Sequence, residues 1–222
     1  MLELQAKGCH NIGFVSPTHF APQMARAILI AAENGLKLPI VYNTNAYDSV
    51  EVLKLLDGIV DIYLPDFKYS ENDAGFQFSK VRGYADFARL ALKEMFRQTG
   101  EKLIYGADDL LKSGLVIRLL VLPNDLAGIE ENLIWIKENL SPKTAISLMA
   151  QYYATNKAGT DERYILLSRR ISEREWSKAI EILEDLQMEE GFLQEYESAS
   201  YYYRPDFNDK EKPFKDIRDF QN

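Results

Sequence analysis

The 222-residue sequence is poor in the residues that most often bind metals, with one cysteine and two histidines. The single cysteine, Cys9, excludes an internal disulfide and a metal site built from several thiolates of this chain. No apolar run approaches the roughly 18 residues of a membrane-spanning helix, and no signal peptide precedes the first predicted strand. A formal net charge of −8 argues against a nucleic-acid partner. We therefore expect a cytoplasmic protein that binds neither membranes nor nucleic acids.

Three short apolar runs near the beginning of the chain each end in a compact polar segment. The runs at 11–15, 39–42 and 60–64 lead into what we call the first tip (16–19, Ser-Pro-Thr-His), the second tip (43–45, Asn-Thr-Asn) and the third tip (65–68, Pro-Asp-Phe-Lys). Short apolar runs separated by helix-length segments indicate parallel strands of an α/β domain. Active sites in such folds lie at the C-terminal ends of the strands. The tips therefore predict a small-molecule site.

The rest of the chain continues the same β–α alternation. We expect strands at 11–15, 39–43, 59–64, 114–122 and 145–149. We expect helices at 1–7, 21–35, 84–98, 126–139 and 172–187, the last opened by a capping box from Ser172 to Glu175. We also expect a short helix that Asp48 or Ser49 caps and that ends at Gly58. The stretch from 70 to 84 is expected to be irregular, residues 103–105 are a short strand or a loop, and Gly191 is expected to end the last helix. The pattern predicts one barrel-like domain at 1–190 and an extension at 191–222 with an irregular, Tyr-rich tail.

Each tip has a structural and a functional interpretation. Ser16 and Thr18 are typical helix-capping residues, or their hydroxyls and the helix N-terminus face an anion or carboxylate. His19 stands at a strand end and is a better site candidate than His10, which precedes the strand. Asn43 and Asn45 form a turn, or they hydrogen-bond a ribose or an amino acid.

Charged residues at the other strand ends strengthen the functional interpretation. Asp66 and Lys68 point to the same side if the third tip is extended, either as a surface ion pair or as site residues. Arg118 is the sole charge of a nine-residue apolar strand, so we expect it to meet a carboxylate of the protein or of a ligand. Gln151 follows the fifth strand, where it completes the ring of tips or hydrogen-bonds within the rim.

Taken in order, these segments resemble the radical S-adenosylmethionine (SAM) superfamily, and within it the pyruvate formate-lyase-activating-enzyme-like proteins. The resemblance covers roughly residues 1–185. It is carried by the blocks 8–19, 38–45, 57–69, 94–98 and 117–123.

The resemblance implies an α/β fold, a partial parallel (β/α)6 barrel, here lacking its first strand and followed by a C-terminal helix and tail. It implies that Ser16, Pro17, Thr18 and His19 receive the methionyl amino group of SAM. It places Asn43, Asn45, Asp66 and Lys68 along the ribose and carboxylate, with Arg118 approaching the cofactor. Gln151 joins them as a cofactor-binding candidate.

The resemblance also implies a [4Fe–4S] cluster that this chain cannot hold. The family binds the cluster through a Cys-x3-Cys-x2-Cys loop after the first barrel strand, and Cys9 precedes its strand and has no partner cysteine. We therefore expect the chain to be the C-terminal part of a radical SAM protein related to glycyl-radical-enzyme activases, inactive alone. A glycyl-radical protein is then the implied substrate. A binding remnant for an adenosyl ligand and a metal-dependent barrel hydrolase or lyase using His19, Asp66 and Lys68 are the alternatives. The free edge of the strand at 11–15 predicts self-association, or cover by the N-terminus or tail.

Overall fold

The computed structural model describes residues 1–198 as an α/β protein built on a single sheet. The strands are β1 (Ile12–Val15), β2 (Ile40–Thr44), β3 (Ile62–Pro65), β4 (Ile104–Tyr105), β5 (Leu111–Leu120), β6 (Ala145–Met149) and β7 (Gly191–Leu193). The helices are α1 (Leu2–Ala6), α2 (Ala21–Glu33), α3 (Val50–Leu55), α4 (Asn72–Ser79), α5 (Tyr84–Thr99), α6 (Ile129–Asn139), α7 (Lys157–Thr160) and α8 (Glu173–Asp185). Within this part of the chain, no helix is long and apolar enough to cross a bilayer.

The sheet is parallel along its main path, and its strands follow the order β1-β2-β3-β5-β6-β7. β4 lies off this path and pairs antiparallel with β5. The predicted α/β fold with a parallel sheet is therefore confirmed, and the sheet is not closed. β1 pairs with β2 alone among the described strands, so its outer edge is free. The C-terminal ends of the parallel strands, with the three tips, lie at one end of the sheet.

The hydrophobic core lies between one face of the sheet and the helices. This core contains alternate strand residues that are fully buried, such as Tyr42, Tyr63, Ile117 and Leu148. Because side chains alternate between the two faces of a strand, Asn43 and Arg118 lie on the opposite face. Thr44 has the parity of Tyr42 and lies on the core face.

Local signals fix the ends of several helices as the sequence indicated. Ser49 caps α3, with its side chain accepting a hydrogen bond from the backbone of Val52. Ser172 and Glu175 form a reciprocal capping box at the start of α8, which satisfies two of the backbone N–H groups left free at a helix N-terminus.

Two predictions about local structure are wrong, and both concern segments with a glycine. The stretch after residue 70 was expected to be irregular, but it contains α4, in which Gly75 lies directly against Tyr84. Gly191 does not end the last helix; it begins β7, where it pairs with Ile146 of β6. The sheet therefore continues past residue 190, and the expected tail at 200–222 lies outside the described residues.

Candidate functional site

An arginine connects the strand ends on the face of the sheet opposite the core. One Nη of Arg118 donates to Oδ1 of Asn43 at 2.7 Å and lies 2.6 Å from Oδ1 of Asp66. Nζ of Lys68 donates to the other carboxylate oxygen of Asp66 at 2.8 Å. The structure thus brings together polar residues from β2, β5 and the third tip. The expectation that Arg118 meets a carboxylate is confirmed, as is the shared side of Asp66 and Lys68.

Backbone pairing places these side chains in register. The third tip continues the sheet beyond β3, because the N–H of Asp66 donates to the carbonyl of Thr44 at 2.8 Å and the N–H of Phe67 to that of Arg118 at 3.0 Å. Phe67 is fully buried against Trp135. Because buried Phe67 stands between two charged residues of an extended segment, Asp66 and Lys68 both lie on the face of the sheet that carries Arg118.

The charge balance of this network favours an anionic ligand group. Two cations share one carboxylate, and their side chains remain partly accessible, at 25% for Arg118 and 38% for Lys68. Nε of Arg118 is buried and has no hydrogen-bond partner among the described residues. A ligand cannot reach this buried nitrogen, so the accessible part of the guanidinium is what can bind a carboxylate or phosphate.

A second cluster centres on Asp48, a buried carboxylate that connects the first and second tips. Asp48 is 4% exposed. Its Oδ1 accepts hydrogen bonds from Thr18 at 2.7 Å and from Tyr42 at 3.0 Å, and its Oδ2 accepts one from Thr44 at 2.5 Å. Burial and the negative charge of Asp48 raise the pKa of Tyr42, so its hydroxyl stays protonated and continues to donate.

Tyr84, at the start of α5, connects the second and third tips through its buried hydroxyl. This oxygen accepts the backbone N–H of Lys68 at 2.8 Å. It also lies 2.9 Å from the carbonyl of Asn45 and 2.8 Å from that of Asp66. Burial raises the pKa of Tyr84, which keeps the hydroxyl neutral and able to donate to one of these carbonyls at a time.

The other predicted site residues lie near these clusters without forming part of them. Ser16 has a left-handed backbone (φ 51°) and donates its N–H to the carbonyl of Asn43. Pro17 is buried. His19 is exposed, with its ring 4.1 Å from that of Phe20. Asn45 is exposed, and its side chain accepts the N–H of Tyr47.

Gln151 follows β6, at the end of the strand order where β7 lies. Its Oε1 accepts a hydrogen bond from Nε2 of Gln194 at 3.0 Å, and Gln194 in turn accepts the N–H of Ala150. Among residues 1–198 this amide pair closes the rim between β6 and β7, and it does not reach Arg118.

Sequence reasoning missed Asp48 and Tyr84 as site residues. Asp48 was considered only as a helix cap, although its spacing of four from Thr44, in a strand end followed by a turn, allows a side-chain contact. No local pattern points to Tyr84, because its partners Lys68 and Asn45 stand 16 and 39 positions earlier in the chain.

The described residues do not form a site for an iron–sulfur cluster. No group of three or more His, Cys, Asp or Glu side chains within residues 1–198 is arranged to hold a metal ion, and Cys9 is an exposed free thiol. A [4Fe–4S] cluster takes thiolate ligands, and the full sequence has one cysteine. Within residues 1–198, His19 makes no hydrogen bond or ion pair with Asp66 or Lys68, and its ring lies 4.1 Å from that of Phe20.

Comparison with known proteins places the fold but not an activity. No protein-family model matches the chain. An uncharacterized protein of Methanocaldococcus jannaschii is 31% identical over 180 residues, which are 78% of this chain and 46% of that protein. The chain thus spans about half the length of this curated relative.

A solved structure has the same architecture. The crystal structure of a domain of pyruvate-formate lyase-activating enzyme from Bacteroides vulgatus superposes on 84% of this chain and on 100% of its own length, with a TM-score of 0.59 and 13% sequence identity. At this identity the similarity concerns the fold alone. The chain has the α/β fold of that domain, with a parallel sheet whose strand ends carry two connected polar clusters.

Proposed function

We propose that this chain is the SAM-binding C-terminal portion of a radical SAM protein related to glycyl-radical-enzyme activases. Similarity of fold to an activating-enzyme domain supports the proposal, together with the polar clusters at the strand ends. The site residues are those of the three tips with Arg118 and, at the rim, Gln151.

The separation of charge between the two clusters carries the proposal. Asp48 is an acidic centre beside the first tip, whereas Asp66, Lys68 and Arg118 together have an excess of one positive charge. The methionyl part of SAM is a zwitterion, with an ammonium and a carboxylate on the same carbon. Its ammonium matches the first tip, its carboxylate matches the spare donors of Arg118 and Lys68, and the amides of Asn43 and Asn45 suit ribose hydroxyls.

The proposed chemistry belongs to an intact protein rather than to this chain. In an intact protein, thiolates outside this sequence would hold a [4Fe–4S] cluster, which would supply the electron for reductive cleavage of SAM and hydrogen abstraction from the substrate. The thiolates for that cluster are not in this sequence, so we expect this chain alone to bind the ligand without reaction. We also propose a cytoplasmic location and, by the same resemblance, a glycyl-radical polypeptide as substrate.

Calorimetric titration with S-adenosylhomocysteine tests the binding proposal, because this ligand keeps the adenosyl and amino-acid groups and does not undergo the reaction. We expect one site per chain. Arg118→Met should weaken binding about tenfold or more, since a hydrogen bond to a charged group contributes about 1.5–3 kcal/mol. The control is Arg174→Met, which removes an exposed arginine of α8. Absence of binding, or equal effects of the two substitutions, would overturn the proposal.

A protein that only binds an adenosyl ligand would give the same titration. Genomic sequence upstream of codon 1 distinguishes a radical SAM protein from a protein that only binds the ligand. An in-frame Cys-x3-Cys-x2-Cys supports the radical SAM assignment, and its absence supports the binding protein. Anaerobic reconstitution of this chain with iron and sulfide should give no stable cluster absorbance. A stoichiometric cluster would contradict our account of the ligands.

A further inference from the structure

The three hydroxyls around Asp48 are not equivalent. Tyr42 is 0% exposed and Thr44 is 2% exposed, so these two hold the carboxylate from within the protein. Thr18 is exposed and stands in the first tip. It is therefore the member of the cluster that a ligand can reach.

We propose that Asp48 is a positioning residue that fixes the hydrogen-bonding polarity of Thr18, so that the first tip selects an ammonium group and rejects an anion. This inference rests on the proposed function and adds a residue that determines which end of the amino acid binds there. The inference also favours an amino group over an anion as the ligand group bound at the first tip.

The polarity follows from the single proton of a hydroxyl group. A carboxylate only accepts hydrogen bonds, so Thr18 must donate its one proton to Asp48 across the 2.7 Å contact. Its remaining lone pairs can then only accept. An ammonium provides donors for them. A carboxylate or phosphate at the same position would place one acceptor oxygen against another, with no proton between them.

Electrostatics act in the same direction. The N-terminus of α2 follows the first tip and carries a partial charge equivalent to about +0.5, which by itself would favour an anion. Asp48 is an acidic side chain, and within residues 1–198 no lysine, arginine or histidine forms a salt bridge with it. The carboxylate outweighs the helix terminus, so the field at Thr18 favours a cation.

A comparison of two ligands that differ by one group tests the inference. S-adenosylhomocysteine and its des-amino analogue share the adenosine, thioether and carboxylate, and only the first has the ammonium. We expect the wild-type chain to bind S-adenosylhomocysteine about tenfold more tightly or better, the range given by a hydrogen bond to a charged group. Thr18→Val and Asp48→Asn should reduce that ratio to within about twofold, while Thr18→Ser, which keeps the hydroxyl, should preserve it.

The outcomes separate this inference from the proposed function. Binding of neither ligand to the wild-type chain overturns both. Binding of both ligands with equal affinity leaves adenosyl binding intact and overturns the selection by Thr18. If Asp48→Asn weakens both ligands by the same factor, Asp48 has a structural role only and the inference is wrong. Because Thr18 is exposed, Thr18→Val remains informative even if Asp48→Asn does not fold.

Discussion

Removal of the Tyr84 hydroxyl should destabilise the protein and loosen two of the three tips. Tyr84→Phe keeps the ring, which is 2% exposed and packs near Tyr47 and Tyr69. It removes the acceptor for the N–H of Lys68 and the donor shared by the carbonyls of Asn45 and Asp66. The substitution therefore changes hydrogen bonding with little change in buried apolar area.

The expected loss can be worked from these contacts. Two hydrogen bonds contribute about 1 kcal/mol each, and a buried N–H left without a partner adds about 1–3 kcal/mol. We expect the free energy of unfolding to fall by about 3–5 kcal/mol, which is a large share of the 5–15 kcal/mol typical of a domain. Urea unfolding followed by circular dichroism, with linear extrapolation, measures this difference.

Tyr47→Phe is the matched control, because Tyr47 stacks on Tyr84 but is 37% exposed. Its hydroxyl makes one hydrogen bond, to the carbonyl of Arg82 at 3.1 Å, and its loss should cost less than about 1 kcal/mol. If Tyr84→Phe is no more destabilising than Tyr47→Phe, the buried hydroxyl does not hold the tips together and our reasoning is refuted.

Three further outcomes are expected. Burial raises the pKa of Tyr42, Tyr63 and Tyr84, so the folded state keeps protons that the unfolded chain releases above about pH 10. The free energy of unfolding should be at its full value below that pH and should fall above it by up to about 1.4 kcal/mol per pH unit for each group. An alkaline stability curve that stays flat would contradict this. Gly75→Ala would place a Cβ 2.6 Å from Cβ of Tyr84, and we expect about 1–3 kcal/mol of destabilisation in urea, whereas an unchanged midpoint would show that α4 and α5 can separate freely. Among the strands of residues 1–198, β1 has an unpaired edge, and its Val15 is exposed (74%). Sedimentation velocity should therefore detect self-association that Val15→Lys reduces, and a monomeric wild-type protein would count against it.

The order of strands and helices could be predicted because it is written in local patterns. Apolar runs such as 114–122 and capping residues such as Ser172 act within a few positions of themselves, and the structure places β5 and α8 close to where these signals stand. The predictions made from glycine were wrong where the glycine serves tertiary packing rather than local chain direction. Gly191 has φ 135° and would clash with the backbone of Ile146 if it carried a Cβ, so it serves close strand pairing rather than helix termination.

The site was predictable only in part, for a similar reason. Polar residues at strand ends, such as Asp66 and Arg118, can be found because parallel strands bring their C-terminal ends together. Asp48 and Tyr84 could not be found in this way. Their contacts depend on how a turn folds back over a strand and on how α5 packs beneath the tips, which no short-range pattern in the sequence encodes.

The contacts of Asp48 also have a consequence for how this protein can change over evolutionary time. Thr18, Tyr42 and Thr44 all give their hydroxyl protons to one carboxylate, so the loss of Asp48 alone leaves three donors without an acceptor, two of them buried. Such a change is tolerated most readily when the hydroxyls are lost with it. In an alignment of relatives, positions 18, 42, 44 and 48 should therefore vary together, and lineages that have replaced Asp48 should carry apolar residues at positions 42 and 44.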